Sequence, residues 1–260
     1  MMANSGKSTN RRRTAVITGG SRGIGLAIAR ELANSGIHVV LAARDQKKLA
    51  FEVERMRGEG NRADYIAIDF RDSNYMEEFQ KYIRYNFFEP TILVNGLGGG
   101  FGSKTLDNVK KYNEVMHLNF FVATNLTQYI SEFALSANFG RFIYLGTLAI
   151  NQKSASAPYV AAKSALMSYM KVISKTLAEL DNNILAAAVS PGAINVEGKH
   201  LNKLSLTDSK ALKEFIKLSR ISSGRLGLPE EVAKVAAFLC GEDTNYLHGC
   251  NIEIDGGASN

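Results

Sequence analysis

The sequence predicts a single-domain α/β fold, in which a doubly wound, mainly parallel sheet of about seven strands carries helices on both faces. Three observations support this prediction. Short runs of β-branched and apolar residues alternate with helical segments along the whole chain. These runs are apolar at nearly every position, as in strands that are buried on both faces. A glycine-rich turn follows the first run and leads directly into a helical segment.

The strands are recognised by composition, and the helices by spacing and end signals. The first strand, residues 14–18, reads Thr-Ala-Val-Ile-Thr, and the helix after it, 24–35, is closed by Gly36. Aromatic residues recur at helical spacing in 74–88, which indicates a core-facing helix. The remaining predicted strands are 39–43, 65–69, 92–95, 141–145, 185–190 and 251–255, and the remaining helices are 46–58, 108–136, one ending near 180, and 230–239.

Composition and charge limit the class of protein. With 45% hydrophobic and 22% charged residues, the 260-residue chain has the composition of a globular protein, and no apolar run is long enough to span a membrane. The beginning of the chain lacks the apolar core of a secretory signal. Cys240 and Cys250 have no partners at metal-binding spacing, so we expect reduced thiols, no bound metal and a cytoplasmic location.

The net charge of +6 comes largely from the first thirteen residues. Lys7 and the run 11–13 contribute four positive charges before any acid appears, which leaves +2 for residues 14–260. A short basic tail on a nearly neutral body is usually solvated and disordered. We therefore expect residues 1–13 to be a disordered tail, residues 14–260 to form one domain, and neither nucleic acid nor a membrane to be a partner.

The turn after the first strand has the character of a phosphate-binding loop. A strand that enters a glycine turn and leaves as a helix directs backbone N–H groups and the positive helix end toward a pyrophosphate. The glycines follow a Gly-x-x-x-Gly-x-Gly spacing, and a plain tight turn is the alternative interpretation. The residues expected to hold a dinucleotide here are Gly19, Ser21, Arg22, Gly23, Ile24 and Gly25.

The end of the second strand favours NADP(H) over NAD(H). An acidic residue in this place would accept hydrogen bonds from the ribose hydroxyls of NAD and repel a 2′-phosphate. Here Ala43 occupies that place, Arg44 follows it, and Arg22 lies in the glycine turn. Two guanidinium groups can bind a phosphate, although Asp45 nearby acts against this interpretation. The alternative is that both arginines simply face solvent.

Tyr159 and Lys163 point most directly to chemistry. They lie four positions apart in a segment of good helix formers, so their side chains stack on one face of a helix. A free tyrosine has a pKa of roughly 10, and a neighbouring ammonium favours the phenolate and lowers that pKa. We interpret the pair as a proton donor and its partner, whereas a pair on an ordinary helix surface is the alternative.

Several blocks in the same order resemble the short-chain dehydrogenase/reductase family, and the ending is similar to that of β-ketoacyl carrier-protein reductases. The resemblance extends from Thr14 to Gly257 and implies a Rossmann-type fold. Its blocks are residues 18–25, Asp69, Asn95 with Gly98, Asn119, Tyr159 with Lys163, Pro191-Gly192, 224–231 and 255–257.

The resemblance also implies roles for single residues. Asp69, with Phe70 beside it, would hold the adenine amino group, and Asn95 with Gly96 would line the cofactor. Asn119 would hold a proton-relay water to Lys163, which in turn would bind the nicotinamide ribose and lower the pKa of the acid–base residue Tyr159. The loop expected to meet the nicotinamide amide contains Pro191, Gly192 and Ile194.

Four departures from the family pattern concern the site. Gly96 stands where a second asparagine is expected, and Asn195 with Val196 replaces a threonine. A threonine, Thr147, takes the place of the catalytic serine. It lies twelve residues before Tyr159, one fewer than expected, so Gly146 is the alternative occupant of that place.

The main functional hypothesis is hydride transfer between NADP(H) and a small-molecule carbonyl/alcohol pair, with Asn119, Thr147, Tyr159 and Lys163 as catalytic residues. One alternative is oxidation of a sugar or sugar-nucleotide hydroxyl, for which residues 195–223, a lid with one amphipathic helix and a basic face, would attract an anionic substrate. Another is a weakly catalytic dinucleotide-binding sensor or scaffold. By analogy with the family, we expect a homotetramer or homodimer.

Overall fold

The sheet has seven strands, all parallel to their neighbours. A computed structural model describes residues 13–151 and 155–259. Its strands are β1 (Thr14–Thr18), β2 (His38–Ala43), β3 (Ala63–Ala67), β4 (Pro90–Asn95), β5 (Gly140–Leu145), β6 (Ile184–Pro191) and β7 (Asn251–Ile254). Their order across the sheet is β3-β2-β1-β4-β5-β6-β7. The chain therefore forms the doubly wound α/β fold that the sequence predicts, with its switch point between β1 and β4.

Helices cover both faces of the sheet. They are α1 (Gly23–Asn34), α2 (Gln46–Gly58), α3 (Tyr75–Tyr85), α4 (Val109–Met116), α5 (Val122–Ala137), α6 (Ala157–Leu180), α7 (His200–Thr207), α8 (Ser209–Leu218) and α9 (Pro229–Leu239). Alternate strand residues point to opposite cores: Ile17 packs with α1, α2 and α9, whereas Val16 packs with α3, α5 and α6. This double burial explains why the strands are apolar at nearly every position.

Three predicted elements differ from those in the structure. The predicted helix 108–136 is interrupted by a π-helical turn, His117–Phe121, between α4 and α5. The polar stretch 195–223 contains two helices, α7 and α8, rather than one. The third strand begins and ends two residues earlier than predicted, so Asp69 lies beyond the strand, in the following loop. Hydrophobic periodicity reports the buried face over several turns or residues, so it does not resolve local changes of this size.

Of the predicted basic tail, residues 1–13, only Arg13 belongs to the described part of the chain. The Arg13 guanidinium pairs with Glu242 and lies 3.7 Å from the centroid of the Phe139 ring. Among the described residues, no helix is both long enough and apolar enough to cross a membrane.

A fully buried arginine joins the amino edge of the sheet to the end of α9. Arg141, near the start of β5, has 0% exposure. Its guanidinium donates to the backbone carbonyls of Asn183 (2.6 Å), Gly140 (2.8 Å) and Gly241 (2.8 Å), and also to Asn245 Oδ1 (2.9 Å). Burial lowers the pKa of Arg141 to about 10. The carbonyl groups solvate the buried charge and fix the loop after α9 against β5 and β6.

We expect Arg141→Met to lower the free energy of unfolding by about 3 kcal/mol or more, because several buried carbonyl groups lose their charged donor. Urea denaturation followed by circular dichroism measures the effect. Arg62→Met is the matched control, because Arg62 makes one bond at an exposed position, to the Gly36 carbonyl. A loss in Arg141→Met no larger than in the control would contradict the structural role of Arg141.

Candidate active site

Two loops meet at the switch point of the sheet. Thr18, the last residue of β1, accepts hydrogen bonds at its hydroxyl from the backbone N–H groups of Gly96 (3.0 Å) and Leu97 (3.1 Å). A Cβ at Gly96 would lie only 2.6 Å from the Thr18 carbonyl oxygen. The glycine that replaces the expected asparagine is therefore required by the close approach of the two loops. Thr18 was not among the predicted site residues, although its position directly before the glycine turn indicates a role in shaping that turn.

The predicted glycine turn has the tight geometry that its sequence implies. Gly19 has a φ of +70°, and a Cβ there would lie 2.9 Å from the Gly96 carbonyl oxygen. A Cβ at Gly25 would lie 2.6 Å from the Gly19 carbonyl oxygen. Ser21 and Ile24 are half-buried in the same turn. Because α1 begins at Gly23, the N–H groups of its first turn point toward this loop without partners inside the helix.

The two arginines of the predicted 2′-phosphate site are exposed. Within the described part of the chain, neither Arg22 nor Arg44 forms an ion pair with a carboxylate. Asp45, which argued against NADP(H) in the sequence, caps α2 by accepting a hydrogen bond from the Lys48 backbone N–H at 3.1 Å. Its carboxylate therefore has a structural partner of its own, and the arginines remain available to an anion.

Of the two residues predicted to lie at the adenine of the cofactor, Asp69 and Phe70, only Asp69 keeps its side chain out of the core. The Asp69 carboxylate accepts a hydrogen bond from the Arg71 backbone N–H at 3.1 Å and lies 3.5 Å from its guanidinium. The Phe70 ring, in contrast, is 3% exposed and packs 5.6 Å from Tyr75, in the core. The structure therefore brings Asp69 to the sheet edge, whereas only the backbone of Phe70 can face a cofactor.

Lys163 is buried beside the end of β5. Lys163 is only 3% exposed, and its ammonium donates a hydrogen bond to the Leu145 carbonyl at 2.7 Å. Burial lowers the pKa of Lys163 to about 8. A Cβ at Gly98 would lie 3.0 Å from Lys163 Nζ and 2.7 Å from Asn119 Oδ1, so these two polar groups border the same small space. The structure thus brings Lys163 and Asn119 together.

Asn119 lies in the π-helical turn and anchors the loop after β4. Its amide nitrogen donates to the carbonyls of Val115 (2.8 Å) and Gly99 (3.0 Å). Its amide oxygen accepts from the Gly99 backbone N–H at 3.0 Å. Single π turns inside α-helices are frequent at functional sites, because they change the direction in which a side chain points.

Tyr159 meets a hydroxyl rather than an ammonium. Burial raises the pKa of Tyr159, and a hydrogen bond with Thr147 acts in the opposite direction. The sequence-based expectation that Lys163 lowers this pKa is therefore wrong for the protein without a bound cofactor. The physical reason is that the Lys163 ammonium is engaged by the Leu145 carbonyl and is itself desolvated.

Of the two candidates for the position of the catalytic serine, Thr147 and Gly146, the structure favours Thr147. A Cβ at Gly146 would lie 2.2 Å from Ser190 Oγ and 3.0 Å from Met167 Sδ, so this position has no room for a side chain. The Thr147 hydroxyl accepts a hydrogen bond from the Ala149 backbone N–H at 3.1 Å, and it is near enough to Tyr159 to lower the pKa of the phenol. The shortening of the connection before Tyr159 therefore does not displace the hydroxyl from the site.

The loop after β6 is held by the C-terminal part of the chain, in which residues 224–231 and 255–257 resemble the ending of the family. Gly192 donates its backbone N–H to the Ile254 carbonyl at 2.9 Å, and Ile194 forms a parallel bridge with Gly227. Pro191 is the last residue of β6. Arg225 binds Glu231 through two hydrogen bonds, and their pairing lowers the pKa of Glu231 to about 2. The ending thus positions the loop that was predicted to meet the nicotinamide.

Two further features of the described residues concern possible ligands. Asn95 is 3% exposed, and neither atom of its amide has a hydrogen-bond partner in the described part of the protein. No group of three or more His, Cys, Asp or Glu side chains in residues 13–151 and 155–259 is arranged to hold a metal ion. The polar groups at this edge are those of a proton-transfer site beside a phosphate-binding turn.

Known proteins resemble this chain over nearly its whole length. A family model described as enoyl-(acyl carrier protein) reductase matches residues 19–259. The 3-oxoacyl-[acyl-carrier-protein] reductase of Haemophilus influenzae is 28% identical over 250 residues, which cover 94% of this chain and 96% of that protein. A tropinone reductase homologue from Arabidopsis thaliana is 29% identical over 255 residues, covering 94% and 91%.

A solved structure shows the same similarity in three dimensions. L-sorbose reductase from Gluconobacter frateurii, crystallised with NADPH and L-sorbose, has a TM-score of 0.85 and 27% identity, covering 95% of this chain and 96% of its own. On this evidence the chain belongs to the short-chain dehydrogenase/reductase family.

Proposed function

We propose that the protein is an NADP(H)-dependent oxidoreductase that transfers a hydride between the nicotinamide and a carbonyl/alcohol substrate. The observation that carries this proposal is the buried Lys163, held at the end of β5 with Tyr159 one helical turn before it, at the same sheet edge as the glycine turn. A phenol and a second hydroxyl that converge on one point can both donate to a single substrate oxygen.

The residues present fit a dinucleotide that carries a 2′-phosphate. The glycine turn leaves no space for side chains where backbone must approach a ligand, and the exposed arginines are free of carboxylates in the described part of the chain. The related L-sorbose reductase was crystallised with NADPH. When bound, NADPH supplies the hydride. The residues that would hold it are those of the glycine turn, Arg44, Asp69, Asn95, Gly96, Lys163, Pro191, Gly192 and Ile194.

The protein's own groups account for the proton. Because burial raises the pKa of Tyr159, the phenol is protonated near neutral pH and can donate to a substrate oxygen as negative charge develops there. The Thr147 hydroxyl donates a second hydrogen bond to the same oxygen and stabilises the negative charge that develops there. Lys163 and Asn119 lie side by side behind this pair, where they relay a replacement proton through water.

A sugar or other polyol is the second candidate substrate class. It is favoured by the likeness to L-sorbose reductase, which extends over nearly the whole chain. The same catalytic residues would serve, and residues 195–223 would form the lid above the substrate. A panel that compares polyols with simple ketones separates this candidate from the first. A sensor or scaffold without catalysis is disfavoured, because Tyr159, Lys163 and Asn119 are all present.

We further propose a cytoplasmic homotetramer or homodimer. Large apolar side chains are exposed at the π-helical turn, on α6 and on α9, where Phe121, Val172 and Phe238 are 48%, 70% and 58% exposed. A second copy of the chain would cover such residues. Cys240 and Cys250 are both free thiols, which agrees with a reducing compartment.

Replacing Tyr159 by phenylalanine keeps the ring and removes the proton. We expect turnover to fall at least about 100-fold, the usual size of a general acid contribution, while the Kd for NADPH changes by less than about threefold. NADPH absorbance measures turnover, and NADPH fluorescence measures binding. Tyr169→Phe is the control on the same helix, since that ring packs against Phe120 and Tyr144. Wild-type turnover in Tyr159→Phe would overturn the assignment.

Thr147 can be tested by a pair of substitutions. Thr147→Val removes the hydroxyl at nearly constant volume, and we expect kcat to fall about 100-fold because one donor to the developing negative charge is lost. Thr147→Ser keeps the hydroxyl and should remain within about threefold of wild type. The two variants are compared in the same NADPH assay. Equal activity in both would show that the hydroxyl is not used.

The buried lysine predicts a pH dependence of stability. The pKa of Lys163 falls from 10.5 to about 8 on burial, so between these values the unfolded chain holds a proton that the folded chain lacks. Stability must therefore rise with pH in this range. We expect the free energy of unfolding, relative to Lys163→Met, to increase by about 1–2 kcal/mol between pH 8 and 10.

Urea denaturation of the cofactor-free protein measures this difference. Lys175→Met is the control, because Lys175 lies on the same helix and its side chain is 81% exposed. Its difference from wild type should stay constant over the same pH range. A difference for Lys163→Met that is equally flat would contradict the burial of this ammonium.

A further inference from the structure

We propose that Lys199 binds the diphosphate of the dinucleotide and thereby ties the segment leading into α7 to the cofactor. This inference rests on the proposed function, because the anion is the cofactor's own. Lys199 is the N-cap residue of α7, and its side chain makes no cap hydrogen bond. Three observations support this inference: the packing of its segment against the glycine turn, the rigidity of its turn and the surrounding charge.

The first observation is packing. A Cβ at Gly23, the first residue of α1, would lie 2.8 Å from Val196 Cγ1, so the Val196 side chain lies directly against the phosphate-binding turn. The backbone then folds back, and the Lys199 N–H donates to the Val196 carbonyl at 3.0 Å. This tight turn keeps Lys199 close to the same end of α1, within the reach of a lysine side chain.

The second observation is that the turn is braced. Asn202 donates from its amide nitrogen to Asn195 Oδ1 at 3.0 Å, and its amide oxygen accepts from the Gly198 backbone N–H, also at 3.0 Å. Gly198 has a φ of +72°, which a glycine adopts without strain. Asn195, one of the departures from the family pattern, therefore helps to build the turn that presents Lys199.

The third observation is unbalanced charge. Burial lowers the pKa of Lys199, and the nearby Arg22 guanidinium lowers it further. Neither cation forms an ion pair with a carboxylate in residues 13–151 and 155–259. Arg22 is the N-cap residue of α1, so the positive end of this helix adjoins it. Two cations and a helix N-terminus held together repel one another, and an anion of high charge at their centre removes the repulsion.

The diphosphate is the anion that best fits this place. The Val196–Lys199 turn packs against Gly23, the first residue of α1, whereas Arg44, after the end of β2, lies where a 2′-phosphate is expected. A contact with the diphosphate strengthens the binding of NADPH and NADH equally, because both contain it. A contact with the 2′-phosphate strengthens the binding of NADPH alone. The two nucleotides therefore distinguish the two sites.

The experiment measures the Kd values of NADPH and NADH by fluorescence titration. For Lys199→Met we expect both Kd values to rise by the same factor, about five- to tenfold, from the loss of one charge-assisted contact near the surface. Lys199→Arg should stay within about threefold of wild type. Lys203→Met, which changes an exposed lysine one turn further along α7, is the matched control and should change neither Kd by more than about twofold.

Each contrary outcome has a distinct meaning. A rise for NADPH alone would place Lys199 at the 2′-phosphate and overturn the inference. Unchanged Kd values would also overturn it, and a raised KM for an anionic substrate would then assign Lys199 to the substrate. Circular dichroism and Tm confirm that each variant is folded. Failure of the wild-type protein to bind either nucleotide would overturn the proposed function together with the inference.

Discussion

The burial of the Lys163 ammonium is the constraint on which the rest of this site depends. A buried charge is costly unless acceptors surround it, and the structure supplies the Leu145 carbonyl at 2.7 Å. That carbonyl belongs to the last residue of β5, so the bond fixes α6 against the carboxyl edge of the sheet. Tyr159 lies one helical turn before Lys163, and Thr147 lies two residues after Leu145. The same bond therefore brings the phenol and the hydroxyl together.

The space around this ammonium explains two features that look like irregularities. The π-helical turn places Asn119 where it holds Gly99 by two hydrogen bonds, with its amide oxygen beside Lys163. Glycine at positions 96 and 98 then follows from contact, since a side chain at either would collide with Thr18 or Asn119. The altered block after β4 is therefore a tightly packed wall of the site.

The sequence was sufficient for the architecture but not for every side chain. Buried strands and amphipathic helices leave periodic signals, so the alternation of strands and helices and the doubly wound, mainly parallel sheet could be predicted. The place of Thr147 could not, because it depends on Ser190 and Met167 filling the space beside Gly146. The core position of Phe70 and the raised pKa of Tyr159 were missed for the same reason: both depend on contacts between segments that are distant in sequence.

Cationic side chains have different partners at the two edges of the sheet. At the amino edge, Arg141 is surrounded by carbonyl oxygens and Arg13 pairs with Glu242, so each guanidinium has partners within the protein. At the carboxyl edge, Arg22, Arg44 and Lys199 have no carboxylate partner in the described residues. Because all seven strands are parallel, every strand contributes one end to each edge. The fold therefore separates an edge whose guanidinium groups stabilise the domain from one that keeps three cations without carboxylate partners, as a site for a phosphorylated ligand requires.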